Sequence, residues 1–418
     1  MRKLSQLSST LKGSEIVRLG NEINERKSRG EHIYNFTIGD FDPAVFPIPQ
    51  ELEELITNAY KNHYTNYPPA DGLQELRAAV KSFILEREQI DYNLNEILIA
   101  SGGRPLIYTL FKAIVDPGDK VIYAVPSWNN NHYCTMNGAE HCVIATTPQN
   151  NFMPSAADIA ANIHNAVLVC LCTPQNPTGT TLPKNELEKI CQIILDENNK
   201  RGSDEKKVYL MFDQMYFTLT HGITQHHNPI ALKPAMKEYT IFIDGISKAF
   251  AATGVRVGWS LGPADIIGKM KALLSHIGAW APMAEQKAVA QYLGQTALVN
   301  HFINQFKAAL EQRLVSIYNG FTALKQKGFA VDAIIPQAAI YLTIKLDLTG
   351  KSFNGTPLQT QADVTSYILD QAKLAVVPFY AFGDDDQSPW YRLSVGTCQL
   401  QHIAPMFDQL EAALAQLE

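Results

Sequence analysis

Asn95-Glu96-Ile97-Leu98-Ile99-Ala100-Ser101-Gly102-Gly103-Arg104 runs a short apolar strand into a glycine turn. Residues 104–115 then repeat their apolar positions at helical spacing. Residues 120–125 make a second apolar strand, ended by Pro126. Working outward, residues 141–146, 166–172, 207–213 and 239–244 are also short and apolar, and 184–198 has a helical period. Upstream, 47–62 reads as a helix with proline near its start and glutamates in its first turn. Strands alternating with helices imply parallel β-α-β units, with helices on both faces of one sheet. These strands show no clean polar alternation, as expected of strands buried on both sides.

Beyond about residue 283 the texture changes. Residues 284–327 are helix-rich, with Gly294 and Gly320 as candidate breaks, and 338–346, 374–378 and 391–395 look like strands of a smaller α+β unit. Residues 350–357 read as a polar loop and 383–386 as a solvated turn, with no internal repeat anywhere.

A length of 418 residues, 46% of them hydrophobic and 18% charged, suits two domains with a large buried core. Against 41 Asp and Glu stand 35 Lys and Arg, a net charge of -6 without a basic run, which argues against nucleic acid as the main partner. No apolar run is long enough to span a membrane. Met1-Arg2-Lys3-Leu4-Ser5 lacks the apolar stretch of a signal peptide. The six cysteines form no disulfide framework and no metal-ligand spacing. Cys170 and Cys172 read as reduced thiols on one face of a buried strand, which fits a cytoplasmic protein and no metal.

Four segments carry chemistry. In Asp244-Gly245-Ile246-Ser247-Lys248, a lysine follows a buried strand, and Gly254-Val255-Arg256-Val257-Gly258 comes shortly after. Desolvation at such a place favours the neutral, nucleophilic amine, which can form a Schiff base with an aldehyde. Ser247 and Arg256 can hold a phosphate beside it. In Thr173-Pro174-Gln175-Asn176-Pro177-Thr178-Gly179, two prolines and a glycine force an irregular loop after a buried strand. Open α/β sheets bind ligands at such strand ends. Asp213, with Tyr216 three residues on, puts a carboxylate at another strand end, where it needs a cationic partner. Ser101-Gly102-Gly103-Arg104 exposes first-turn N–H groups to an anion.

In order and spacing, these segments resemble the fold-type I, class I/II aminotransferases that use pyridoxal 5′-phosphate, of the aspartate aminotransferase kind, from about Phe36 to Gly396. The resemblance implies a large cofactor-binding domain, residues 48–300, with a mostly parallel sheet between helices. Residues 1–47 and 301–418 would form the smaller α+β domain. It implies that Lys248 carries the cofactor and transfers the proton, that Asp213 pairs with the pyridine nitrogen, and that Tyr216 and Asn176 donate to the ring's phenolic oxygen. Gly103, Arg104, Ser247 and Arg256 would bind the phosphate, the first two through backbone N–H, and Trp128 would stack on the ring. Arg392 would grip the substrate α-carboxylate and Gly39 would let the backbone close over it. Tyr67 would reach the phosphate of a second subunit, which implies a homodimer with composite sites.

The resemblance also bears on the substrate. One aspartate-specific branch takes an arginine from the loop after the cofactor lysine, yet no arginine lies between Arg256 and Arg313. Another branch places a lysine after the Gly-Gly pair, and here Arg104 stands there. Arg104 is therefore the candidate for a side-chain carboxylate, with aspartate and 2-oxoglutarate as the expected pair. Ile16, in Gly13-Ser14-Glu15-Ile16, replaces that branch's threonine. Phe41, Phe46, Tyr341 and Phe379 offer an apolar lining instead, so aromatic or neutral amino acids, or β-elimination from a cysteine conjugate, are the alternatives.

Overall fold

A computed structural model describes residues 4–10, 13 and 15–418. Met1, Arg2 and Lys3 of the amino terminus weighed above lie outside the described residues, as does Ser14.

Seven strands form the main sheet: β1 (Ile97–Ala100), β2 (Lys120–Val125), β3 (Glu140–Ala145), β4 (Ala166–Cys172), β5 (Tyr209–Asp213), β6 (Thr240–Gly245) and β7 (Gly258–Leu261). Their order across the sheet is β1-β7-β6-β5-β4-β2-β3. Neighbours from β3 to β6 pair in parallel, while β7 runs antiparallel to both β6 and β1. Six strands therefore point their carboxyl ends the same way. β1 and β2, adjacent in sequence, lie far apart in the sheet, so that first strand-helix-strand run is not a neighbouring pair. β7 was not anticipated from the sequence.

Successive residues of each strand enter different cores, because side chains alternate between faces. Ile97, Ile99, Leu210, Phe212 and Phe242 pack against the helices Gln50–Lys61, Gln74–Glu88, Lys184–Lys200 and Met283–Leu293. Leu98, Ala100, Met211, Ile241 and Ile243 pack against Gly103–Ile114 and Ala264–Ile277. Burying a side chain such as Phe212 contributes about 1.5–3 kcal/mol.

A second sheet is wholly antiparallel, in the order β10-β11-β9-β8, from β8 (Val331–Ala333), β9 (Tyr341–Leu346), β10 (Val377–Pro378) and β11 (Trp390–Ser394). Leu310, Leu314, Ile317 and Phe321 make a buried stripe at helical spacing on Thr296–Gln326 and join this sheet's core. Gly294 does separate two helices, but Gly320 lies inside this one. A Cβ at Gly320 would collide with the ring of Phe407, so the glycine admits an aromatic from Ile403–Leu414 rather than ending the helix. No helix among the described residues is long and apolar enough to cross a membrane.

Candidate active site

A cavity of about 560 Å³ opens where the carboxyl ends of β4, β5 and β6 meet β9 and β11 of the second sheet. Cys172, Asp213 and Ile243 face it from the main sheet, and Tyr341 and Arg392 from the other. Every residue expected to carry out the chemistry or to hold the cofactor or a substrate carboxylate lines this cavity except Tyr67. A wider groove, of about 990 Å³, runs along Gln50–Lys61 and gathers none of them.

Lys248 sits in the single turn Ile246–Ala249 that follows β6. Its Nζ donates to the Gly39 carbonyl at 2.6 Å. Burial pushes the ammonium down to about 8; Asp40 opposes this, while Arg392, Arg104 and Arg256 add to it. A neutral amine is thus accessible near neutral pH. Asp213 ends β5 and accepts from the Met215 N–H at 3.1 Å. Burial raises its carboxyl to about 6, and no cationic side chain among the described residues pairs with it.

Arg256 reaches the same corner because β7 runs backwards and starts beside Ala100 and Gly245. Its guanidinium donates to the Ser101 and Thr253 carbonyls, both at 2.7 Å. Gly102 has a φ of +88°, and a Cβ there would strike this guanidinium, so glycine is required on two counts. Gly103 and Arg104 open the helix Gly103–Ile114, where first-turn N–H groups have no partner within the helix. With Ser247 they form a cradle for an anion.

Arg392 is 1% exposed. It donates to Asn176 Oδ1 at 3.1 Å and to the Thr37 carbonyl at 2.6 Å, and burial lowers its pKa. A Cβ on Gly39 would come within 2.9 Å of the Tyr341 hydroxyl, so this close strap needs glycine. The strap is latched again where Thr253 donates to Asp40 at 2.5 Å. Tyr216 is buried, and its hydroxyl lies 2.6 Å from that of Tyr341. Trp128 and Arg104 meet at the mouth, with the guanidinium 5.5 Å from the ring centre. The Arg104 side chain makes no hydrogen bond or ion pair to another described residue.

Tyr67 lies elsewhere. It is 82% exposed and stacks edge-on against Trp280, beside a separate cavity. Of the four aromatics expected as an apolar lining, Tyr341 lines the cavity, and the centre of the Phe41 ring lies 5.5 Å from Lys248 Nζ without lining it. Phe41 and Phe46 pack with Phe306, and Phe379 packs with Phe152, because each belongs to a core. Sequence reasoning missed Thr253 and the Thr37 carbonyl. Thr253 lay within the quoted lysine-to-arginine interval, but the carbonyl had no side-chain signal. Ile16 does reach the cavity, where the matching threonine would stand.

A buried lysine, an unpartnered buried carboxylate and an anion cradle at the strand ends of this sheet define a pyridoxal-phosphate enzyme of fold type I. The chain belongs to the aminotransferase class I and II family, whose sequence profile matches residues 31–405. It is a transaminase that uses pyridoxal 5′-phosphate. An aspartate aminotransferase of Bacillus sp. (strain YM-2) is 29% identical over 383 residues, covering 91% of this chain and 92% of that protein. A probable aspartate/prephenate aminotransferase of Rhizobium leguminosarum bv. phaseoli is 26% identical, covering 100% and 98%. Among solved structures, the aspartate aminotransferase from Rhizobium meliloti superposes with a TM-score of 0.90 at 25% identity, with 100% of both chains covered. The enzyme from Thermus thermophilus with maleate gives 0.86 at 25%, covering 99% and 100%. The residues fit the cofactor: Asp213 has no cationic partner among the described residues, a place that a protonated pyridine nitrogen would fill, and Ser247, Arg256 and the first-turn N–H groups suit its phosphate.

Proposed function

We propose that this enzyme moves the amino group between aspartate and a 2-oxo acid such as 2-oxoglutarate. The observation that carries the substrate choice is that two arginines, Arg104 and Arg392, line one cavity, with Arg104 free of any carboxylate among the described residues. A dicarboxylate needs two such anchors. The names of the relatives support the same choice.

The bound cofactor supplies an electron sink for the charge left at the substrate Cα. The residues do the rest. Lys248 carries the cofactor and, as a neutral amine, takes the Cα proton and returns it. Asp213 holds a proton on the pyridine nitrogen. Tyr216 and Asn176 donate to the phenolic oxygen, and Trp128 stacks on the ring. Arg256, Ser247 and the N–H groups of Gly103 and Arg104 hold the phosphate. Arg392 fixes the α-carboxylate, so that the Cα–H bond faces Lys248, and the Gly39 strap excludes water. Arg104 takes the distal carboxylate with its side chain.

In this reading residues 48–300 are the cofactor-binding domain, and 1–47 with 301–418 the smaller one. The protein is a homodimer, and exposed Tyr67 serves the partner's site, which accounts for an aromatic left 82% open beside Trp280. Six free cysteines fit the cytoplasm.

The test is the absorbance of the purified holoenzyme, titrated with single amino acids and no oxo acid. Aspartate and glutamate should convert the cofactor to its amine form at the lowest concentrations. Conversion by aromatic or neutral amino acids alone would overturn the dicarboxylate reading, and pyruvate with ammonia from a cysteine conjugate would point to β-elimination.

A further inference from the structure

Tyr341 begins β9, where it stands opposite Ser394 of β11, while Thr343 stands opposite Arg392. Opposed residues share a face of the sheet, so Tyr341 and Arg392 project to the same side as diagonal neighbours. The Arg392 guanidinium lies 4.8 Å from the centre of the Tyr341 ring. The hydroxyls of Tyr341 and Tyr216 are 2.6 Å apart, with the rings edge-on at 5.5 Å. The backbone leading into β9 is pinned to both loops of the site. Ala338 N–H donates to the Gly179 carbonyl at 2.9 Å, and Ala339 N–H to Leu219 at 2.8 Å. A Cβ on Gly179 would collide with the Tyr341 carbonyl, so the loop that carries Asn176 also fixes this residue.

Two phenols in one short bond spend one proton and keep one. A cation over the Tyr341 ring makes that phenol the better donor. The remaining proton, on Tyr216, is then free to point into the cavity.

We propose that Tyr341 is a positioning residue that sets the Tyr216 hydroxyl and the Arg392 guanidinium together, donating to the Tyr216 oxygen so that the Tyr216 proton is left for the cofactor. This rests on the reading above that Tyr216 faces the cofactor's phenolic oxygen. One side chain thereby joins the group that grips the substrate carboxylate to the group that touches the cofactor. Neither the fold nor the family match assigns Tyr341 this role.

The experiment compares holoenzymes by the pH midpoint of the bound cofactor's visible absorbance. Tyr341→Phe keeps the ring and removes the hydroxyl. The midpoint should rise by about one pH unit, a tenfold weakening of the anion's support. The KM for the amino donor should stay within roughly twofold, because the ring still underlies Arg392. Tyr341→Leu removes the ring as well and should also raise KM about tenfold. Tyr216→Phe is the reference and should move the midpoint at least as far as Tyr341→Phe. If Tyr216→Phe moves the midpoint and Tyr341→Phe does not, the relay through Tyr341 is wrong. If neither moves it, the placement of Tyr216 against the cofactor is wrong, and the relay falls with it.

Discussion

At the floor of the cavity, Asp213 ends β5, Lys248 follows β6 and Arg256 precedes β7, each tied to backbone by hydrogen bonds of 2.6–3.1 Å. At its mouth, the Arg104 guanidinium meets the Trp128 ring, which also packs against Phe382, and Ile16 arrives from a different helix. The floor is held by the main sheet and its glycine turns, with little rotamer freedom left. The mouth is held by side chains that can turn. Chemistry common to every substrate belongs on the first kind of support, and the choice among substrates on the second.

The largest effect that could break this division is at the floor. Lys248→Ala should lower kcat on the order of 10⁴-fold, while the phosphate contacts retain pyridoxal phosphate in a dialysed sample. Near-normal turnover would remove Lys248 from its role. Next comes Asp213→Ala, expected to reduce kcat/KM on the order of 10³-fold with a much smaller loss of cofactor affinity. Equal losses in the two would make Asp213 a cofactor ligand and nothing more.

The third effect is on stability. Folding raises the Asp213 carboxyl from 3.8 to about 6. The cofactor-free fold therefore holds this proton more tightly than the unfolded chain does. Its contribution is intact below pH 3.8 and is lost as pH rises through about 6, a change of about 3 kcal/mol. In cofactor-free protein, Asp213→Asn should gain Tm relative to the wild type between pH 4 and pH 7. A constant gap would mean that the carboxylate is not strained by burial. The smallest effect is at the mouth. Arg104→Met should cut kcat/KM for aspartate roughly 30-fold and leave phenylalanine within a few-fold. A parallel loss for both would move Arg104 from the mouth to the floor of the comparison.

Much of the floor was legible because its signals are local. A carboxylate or lysine directly after a buried strand is visible in a dozen residues, and so is a proline-bracketed Asn176. The partners that complete the floor were not. The Thr37 carbonyl, which accepts from Arg392 across 355 positions, carries no residue-type signature. The main sheet's parallel run was readable from strand-helix alternation, but β7 was not. It is four residues long and buried on both faces, so it has no alternation to announce an antiparallel partner. Gly320 reads as a break because its reason for being glycine is the ring of Phe407, on a helix far along the chain. Phe41, Phe46 and Phe379 were read as cavity lining because an aromatic in a loop looks the same whether it faces a ligand or a core.

The alternation of strand residues between two cores makes the main sheet a ruler for chain length. Met211 and Asp213 face the same side, as do Cys170 and Cys172, and that side holds the cavity. One residue inserted within β5 would turn Asp213 toward the opposite helices and bring a core phenylalanine to the site. Length change is thus barred between a strand's middle and its carboxyl end. The loops that feed the amino ends of the six like-directed strands, on the far edge of the sheet, carry no such constraint, whereas the run into β7 holds Thr253 and Arg256 and does carry it. They are where this chain can be lengthened, nicked or fused with the least disturbance of the site.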